Sequence, residues 1–222
     1  MSIEVDTKDC TALSDAELAD MADICTDGSA GFDVGFLSKQ RDEWVLVTQA
    51  REGGRLAGFS FCTLERIGGT PSLLVGLASV KPTSKREQVV RALMNDQYRR
   101  ALLAFPDEDV LVGTRMADPG AFDAFKGLSD VVPRPQHRPT GEERAWGRRL
   151  AKRFGADGRL NDRSFVLGGT GSPAGVLEYR SLKSGPADVA AFFKPLTQKR
   201  FDCLVAFGWA MAEDLAEGRL GR

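Results

Sequence analysis

Apolar residues recur along this chain with two different periods, and the change of period marks out its elements. From Leu73 to Val80 they follow one another almost without a break, as suits a strand covered on both faces. Pro82 then has no N–H to give a ladder. Ser84 and Glu87 have the spacing of a capping box. Val89, Val90, Leu93, Met94, Gln97, Ala101 and Leu102 return at helical intervals, which predicts a helix from Lys85 to Ala104 with one buried stripe. Upstream, Trp44 to Gln49 and Leu56 to Glu65 read as strands around the hairpin turn Glu52-Gly53-Gly54-Arg55, and Gly68-Gly69-Thr70-Pro71 turns into the Leu73 strand. Val110 to Met116 is the next strand. Three antiparallel strands are thus followed by a strand–helix–strand crossover, which puts the Leu73 and Val110 strands parallel.

The flanks carry their own punctuation. Ile3 to Val5 reads as a short edge strand. Ser14 and Glu17 form a second capping box, opening a helix with Leu18, Met21, Ala22 and Cys25 on one face that ends before Gly28. Gly28 to Gly35 is a glycine-rich loop, either a plain connection or a lid over a substrate. Asp118-Pro119 suits an N-cap and first helical position, with Phe122 and Phe125 on a short helix ending at Gly127. Val131 to Pro139 reads as irregular. Thr140 and Glu143 make a third capping box, and Trp146, Leu150 and Phe154 a stripe that ends at Gly155. Phe165 to Leu167 and Val176 to Tyr179 read as short strands around Gly168-Gly169-Thr170-Gly171. With no lysine or helix after it, that run is expected to be a hairpin turn rather than a phosphate loop. Val189 to Phe193 is a helical turn, Phe201 to Trp209 a closing strand, and the rest a polar tail.

Composition narrows the function classes. The 222 residues carry a net charge of −1, so no nucleic-acid footprint is expected. No apolar run is long enough to span a bilayer, and no secretory signal is read at the start. The four cysteines are widely spaced, and there is one histidine. Reduced thiols in a cytoplasmic setting are expected, and no structural zinc.

The candidate chemistry centres on the turn after Val80. A strand that runs into a helix N-terminus aims free N–H groups and the positive end of a dipole at its turn. Lys85 and Arg86 stand there, so the turn is either a cradle for a phosphorylated cofactor or an ordinary connection with solvated basic residues. Phe32, Asp33 and Phe36 are positioned to frame a substrate. Glu65 is a carboxylate facing a substrate groove, or else a solvated strand-end charge. Cys62 reads as a buried small hydrophobe and His137 as an exposed loop residue. The row Arg144, Arg148, Arg149, Lys152 and Arg153 is a solvated face, or a docking face for an acidic partner.

From Trp44 to Leu128 the chain resembles the GNAT acyltransferase superfamily. The anchors are Ala78-Ser79-Val80-Lys81-Pro82, the helix beginning at Lys85, and Asp118-Pro119; Asp202 to Gly208 resembles that family's closing strand. The resemblance implies an α/β fold, a mixed sheet in which an antiparallel meander precedes a β-α-β crossover, with helices on both faces. It implies an acyl-CoA-binding core over 1–135 and a C-terminal extension over 136–222 that completes the sheet. The implied activity moves an acyl group from acyl-CoA, acetyl-CoA included, to an amine of a small molecule. Cofactor contacts then fall on Ala78, Ser79, Val80, Ser84, Lys85, Arg86, Gln88, Val89, Val90 and Asp118, with Glu65 as base. The family's acid tyrosine on the short helix has no counterpart beside Phe122 and Phe125, so Tyr98 on the central helix is either the acid or a packing or surface residue. The family's Arg/Gln-x-x-Gly-x-Gly/Ala loop is altered: Lys85 keeps the basic position, Gln88 and Val90 replace the small ones, and Glu87 adds a like charge. Those departures keep open an inactive module that binds a ligand or protein, and an enzyme fed by an acyl carrier protein. A homodimer also stays open. No metal is implied.

Overall fold

The computed structural model describes residues 2–26, 31–181 and 185–220. The strands are β1 (Ile3–Asp9), β2 (Leu46–Glu52), β3 (Arg55–Ile67), β4 (Thr70–Val80), β5 (Val110–Met116), β6 (Ser129–Val132), β7 (Leu160–Asn161), β8 (Val166–Leu167), β9 (Leu177–Glu178) and β10 (Cys203–Ala210). The helices are α1 (Asp15–Cys25), α2 (Val34–Glu43), α3 (Arg86–Ala104), α4 (Gly141–Arg153), α5 (Ala187–Ala191) and α6 (Ala212–Ala216). One mixed sheet runs β1-β2-β3-β4-β9-β5-β10-β8-β7, and β6 pairs with β10. Strands β1 to β4 form the antiparallel meander, and β4 and β5 are parallel across α3. Helices α1, α2 and α4 bury Leu18, Met21, Leu37, Trp146 and Leu150 on one face. Helices α3 and α6 bury Val90, Met94, Tyr98 and Leu215 on the other.

The sheet changes phase in the middle of β4. Phe61 opposes Leu77 and Cys62 opposes Val75, so Gly76 is an extra residue with no partner of its own. Such a bulge bends its strand and shifts the alternation by one. Leu74 and Leu77 therefore both pack toward α1 and α2, while Leu73, Val75 and Ala78 pack toward α3. Trp44 lies where a Cβ on residue 76 would project.

Four expectations are corrected. The Ser84–Glu87 capping box does not form: Lys85 is the N-cap, and no side chain caps α3. The box sits one residue early, so the third helical position is Gln88, and the Lys85 N–H donates to the Thr83 hydroxyl instead (3.3 Å). The glycine run at 168–171 is not a hairpin turn between its flanking strands. β8 pairs with β7 and β10, and β9 with β4 and β5. The Gly169 N–H donates to the Asp202 carboxylate (2.8 Å) and the Gly171 N–H to the Arg200 carbonyl (3.2 Å), tying the run to the approach to β10. Val131 to Pro139 is not wholly irregular, because Val131 and Val132 belong to β6. The tail is not simply polar: α6 buries Leu215, and Leu220 follows it into the α3 side of the core.

Of the glycine-rich loop, residues 27–30 lie outside the described residues, and from Val34 the chain is already α2. The boxes at Ser14 and Thr140 both form. All four cysteines are buried and free. Burial pushes the thiols of Cys10, Cys25 and Cys62 up to about 12 and that of Cys203 to about 11.

Glu17 joins the box on α1 to β1. Burial alone would raise its carboxyl. Lys8 at 2.6 and 2.7 Å, with the N–H and hydroxyl of Ser14, reverses this and draws it from 4.5 to about 2. A depressed carboxyl contributes stability that is present above its unfolded value and lost as pH falls toward the folded one. Acid unfolding of Glu17→Gln, followed by circular dichroism, should show lower stability at pH 7 and a shallower loss between about pH 4.5 and 2.

Candidate ligand slot where β4 and β5 diverge

β4 and β5 pair from Ser72 opposite Leu111 to Val75 opposite Thr114, and then part. The parting follows from local chemistry. The Gly76 bulge bends β4, the Thr114 hydroxyl donates to the Val75 carbonyl (2.8 Å), and the next residue of β5 is the bulky Arg115. Two diverging strands leave backbone donors and acceptors facing each other across a slot, and buried ones need partners. Here β9 supplies them. Leu177 lies opposite Ala78 and Met116, and Glu178 opposite Ser79. The Ala78 N–H donates to the Val176 carbonyl (3.1 Å).

The open end of the slot meets the start of α3. Ser79, Val80, Pro82, Arg86, Glu178 and Arg180 enclose a hollow of about 30 Å³. The Arg86 N–H donates to the Thr83 carbonyl (3.2 Å), and those of Gln88 and Val89 to the Lys85 carbonyl (2.9 and 3.1 Å). Lys85 forms an ion pair with Glu52 of β2, which leaves Arg86 and Arg180 as the cations bordering the hollow. Gln88 is exposed. Val89 packs on Gly58, and Val90 packs beneath α3. Beyond β9, Ala174, Val176, Arg180, Leu196, Gln198 and Phe201 border a larger cavity of about 320 Å³. Arg180 borders both spaces.

The closed end of the slot holds a buried cation. Arg115 is 6% exposed. Its guanidinium lies 4.7 Å from the Phe154 ring, and Nη2 donates weakly to the Gly76 carbonyl at 3.5 Å, while Nε has no partner. Burial pulls it below the ordinary arginine range, opposed by Cys203 and Glu43.

The remaining candidate residues are dispersed. Glu65 pairs with Ser72, at the far end of β4 from the α3 turn, and its carboxylate accepts from Arg153 Nε (2.7 Å). The Tyr98 hydroxyl donates to the Ala124 carbonyl (3.1 Å) in the core. Asp118 caps the turn at Pro119–Phe125 by accepting the Gly120 N–H (2.8 Å). Asp33 caps α2, and Phe32 stacks on Phe36 at 4.8 Å. The basic row on α4 is largely engaged within the chain: Arg148 with Asp162, Arg153 with Glu65, and Arg149 over Trp146. Among the described residues, no group of three or more metal-ligating side chains converges, and no helix is long and apolar enough to cross a membrane.

Arg115 and Arg180 were not singled out from the sequence; the strand at Val176 to Tyr179 was, but not its place between β4 and β5. A lone arginine inside the apolar run Val110–Met116 was the available signal for Arg115.

No family model and no curated protein matches the chain. Solved structures do. An aminoglycoside 6'-acetyltransferase of type Ii is 12% identical, with 59% of this chain and 86% of that one covered, at a TM-score of 0.44. The Escherichia coli ribosomal-protein-S18-alanine N-acetyltransferase is 14% identical over 63% and 86%, at 0.43. A tandem GNAT protein from the clavulanic acid biosynthesis pathway is 20% identical over 59% and 45%, at 0.44.

Proposed function

We propose that this chain is an acyltransferase of the GNAT type, taking an acyl group from acyl-CoA to an amine of a small molecule. The observation that carries this reading is the β4–β5 slot ending at the start of α3, where Arg86 and Arg180 border the hollow and Thr83 holds the N–H groups of Lys85 and Arg86. The chain entering β9 supports this reading, since it is held there through a peptide carbonyl that accepts from Ala78. An extended carrier arm with amide groups offers the same bonds. Its pyrophosphate then falls between Arg86 and Arg180, at the helix N-terminus. The acceptor reaches the reacting carbon from the side of the larger cavity. Its nitrogen attacks the thioester carbonyl, the C–S bond breaks, and the amine proton passes to the departing thiolate.

In this structure β9 stands in the slot, so the carrier arm binds only after β9 lifts. That occupancy favours a second reading, a GNAT-type module that binds a ligand or protein without catalysis. The engaged arginines of α4 weaken the case for an acyl carrier protein as donor.

Thermal shift separates the readings. Acetyl-CoA, longer acyl-CoAs and free CoA at about 100 times Kd should add about 2.7 kcal/mol, which is about 5–10 °C at this chain length. Arg86→Glu and Arg180→Glu should each abolish the shift. No shift with any of the three, in the parent or in a variant with β9 loosened, leaves the non-catalytic reading.

A further inference from the structure

Among the described residues, Arg115 is held only by the Phe154 ring at 4.7 Å and one long bond to the Gly76 carbonyl at 3.5 Å, with Nε unpartnered. No carboxylate among them pairs with it, although its side chain is buried. Glu43, the acid whose charge reaches it, accepts from Gln40 Nε2 (3.1 Å). Burying a guanidinium without an anionic partner is costly, and replacing it by an apolar side chain is often neutral or stabilising. Arginine is the side chain suited to a planar, two-point grip on a carboxylate.

Its position tells which ligand atoms would meet it. The carrier arm of the proposed function enters at Arg86 and Arg180 and runs along Ala78 toward Gly76. The Gly76 carbonyl is the atom that Arg115 touches. Gly175, which leads into β9, closes this inner end: a Cβ there would stand 2.8 Å from the Gly76 carbonyl, 3.0 Å from Gln40 Oε1 and 3.1 Å from Arg115 Nη2. The chain thus lays bare backbone, with no side chain, against the guanidinium. When β9 lifts, the Arg115 guanidinium faces the tip of whatever follows the arm, with Phe154 behind; Gln40 presents only its Oε1, which accepts from Trp44, while its Nε2 donates to Glu43.

We propose that Arg115 binds a carboxylate in the slot, and that this carboxylate is the free end of a dicarboxylic acyl group carried as its CoA thioester. The inference rests on the acyl-CoA reading for the source of the carboxylate but not for the binding group.

Isothermal titration should compare succinyl-CoA with butyryl-CoA, a neutral acyl group of the same length. The parent should bind succinyl-CoA at least tenfold tighter. Arg115→Met should lose that preference while keeping its melting temperature and its affinity for butyryl-CoA, and Arg115→Lys should restore part of the preference. Equal affinities in the parent overturn the proposal. A carboxylate on the acceptor would instead show as γ-aminobutyrate binding better than butylamine beside acetyl-CoA, and would overturn the assignment to the acyl group. If no CoA ester binds, the acyl-CoA reading fails on its own. Succinate then tests the group: binding lost in Arg115→Met supports the carboxylate site, and no binding in the parent overturns it.

Discussion

Leu177→Ala is expected to raise the apparent affinity for acetyl-CoA by up to about 30-fold while lowering the melting temperature. Leu177 is fully buried and anchors β9 on the α3 side of the sheet. Truncating it removes about 2 kcal/mol from the state in which β9 fills the slot. A ligand that competes with β9 binds only the lifted state, so its apparent dissociation constant scales with the fraction of lifted molecules. About 2 kcal/mol then becomes about 30-fold in affinity. The same loss lowers the melting temperature by about 4–8 °C. Titration and melting of one sample read both effects. A lower melting temperature with no gain in affinity would mean that β9 is a permanent strand, and the non-catalytic reading would follow.

Gly76→Ala is expected to cost about 3 kcal/mol, seen as a fall of about 6–12 °C in melting temperature. The new methyl would enter the indole of Trp44. That ring has little freedom to retreat. Its Nε1–H donates to Gln40 Oε1 (3.1 Å), Arg153 lies 5.3 Å above it, and Phe154 packs beside it. Trp44→Leu in the same background should recover part of the loss, giving a coupling above about 1 kcal/mol in the double-mutant cycle. Gly141→Ala is the control: a Cβ there meets nothing within 4 Å, so melting should be unchanged or slightly raised. A Gly76→Ala protein that melts with the parent would remove the close approach at the bulge.

Much of the architecture was legible because it rests on short-range rules. Ser14 and Thr140 precede a glutamate by three residues and a helix by one, and both boxes form. The run Val110–Met116 is a strand with those same bounds, buried throughout. Ser84 has the same spacing, yet the helix starts one residue later, since the Thr83 hydroxyl and carbonyl already take the N–H groups of Lys85 and Arg86. α2 was hidden by its composition, Ser-Lys-Gln-Arg-Asp-Glu with few apolar positions. The site was the least legible part. Val176 to Tyr179 reads as a short strand and β9 lies within it, but its partner Ala78 lies about a hundred residues earlier, so no local pattern marks where it pairs. Glu65 and Tyr98 were chosen by residue type and element, and distance along the folded strand separates Glu65 from the α3 turn. Arg115 carries the one charge in an apolar run, a signal that points to a buried cation without saying what meets it.

The inaccessible sulfurs have a practical consequence. Because Cys10, Cys25, Cys62 and Cys203 are all enclosed, with thiols held protonated far above neutral pH, the native protein should stay silent toward maleimides and disulfide reagents. A single cysteine introduced at the exposed Gln88 would then be the one reactive handle, so a fluorophore attached there could follow β9 leaving and re-entering its place without altering any of the four native residues.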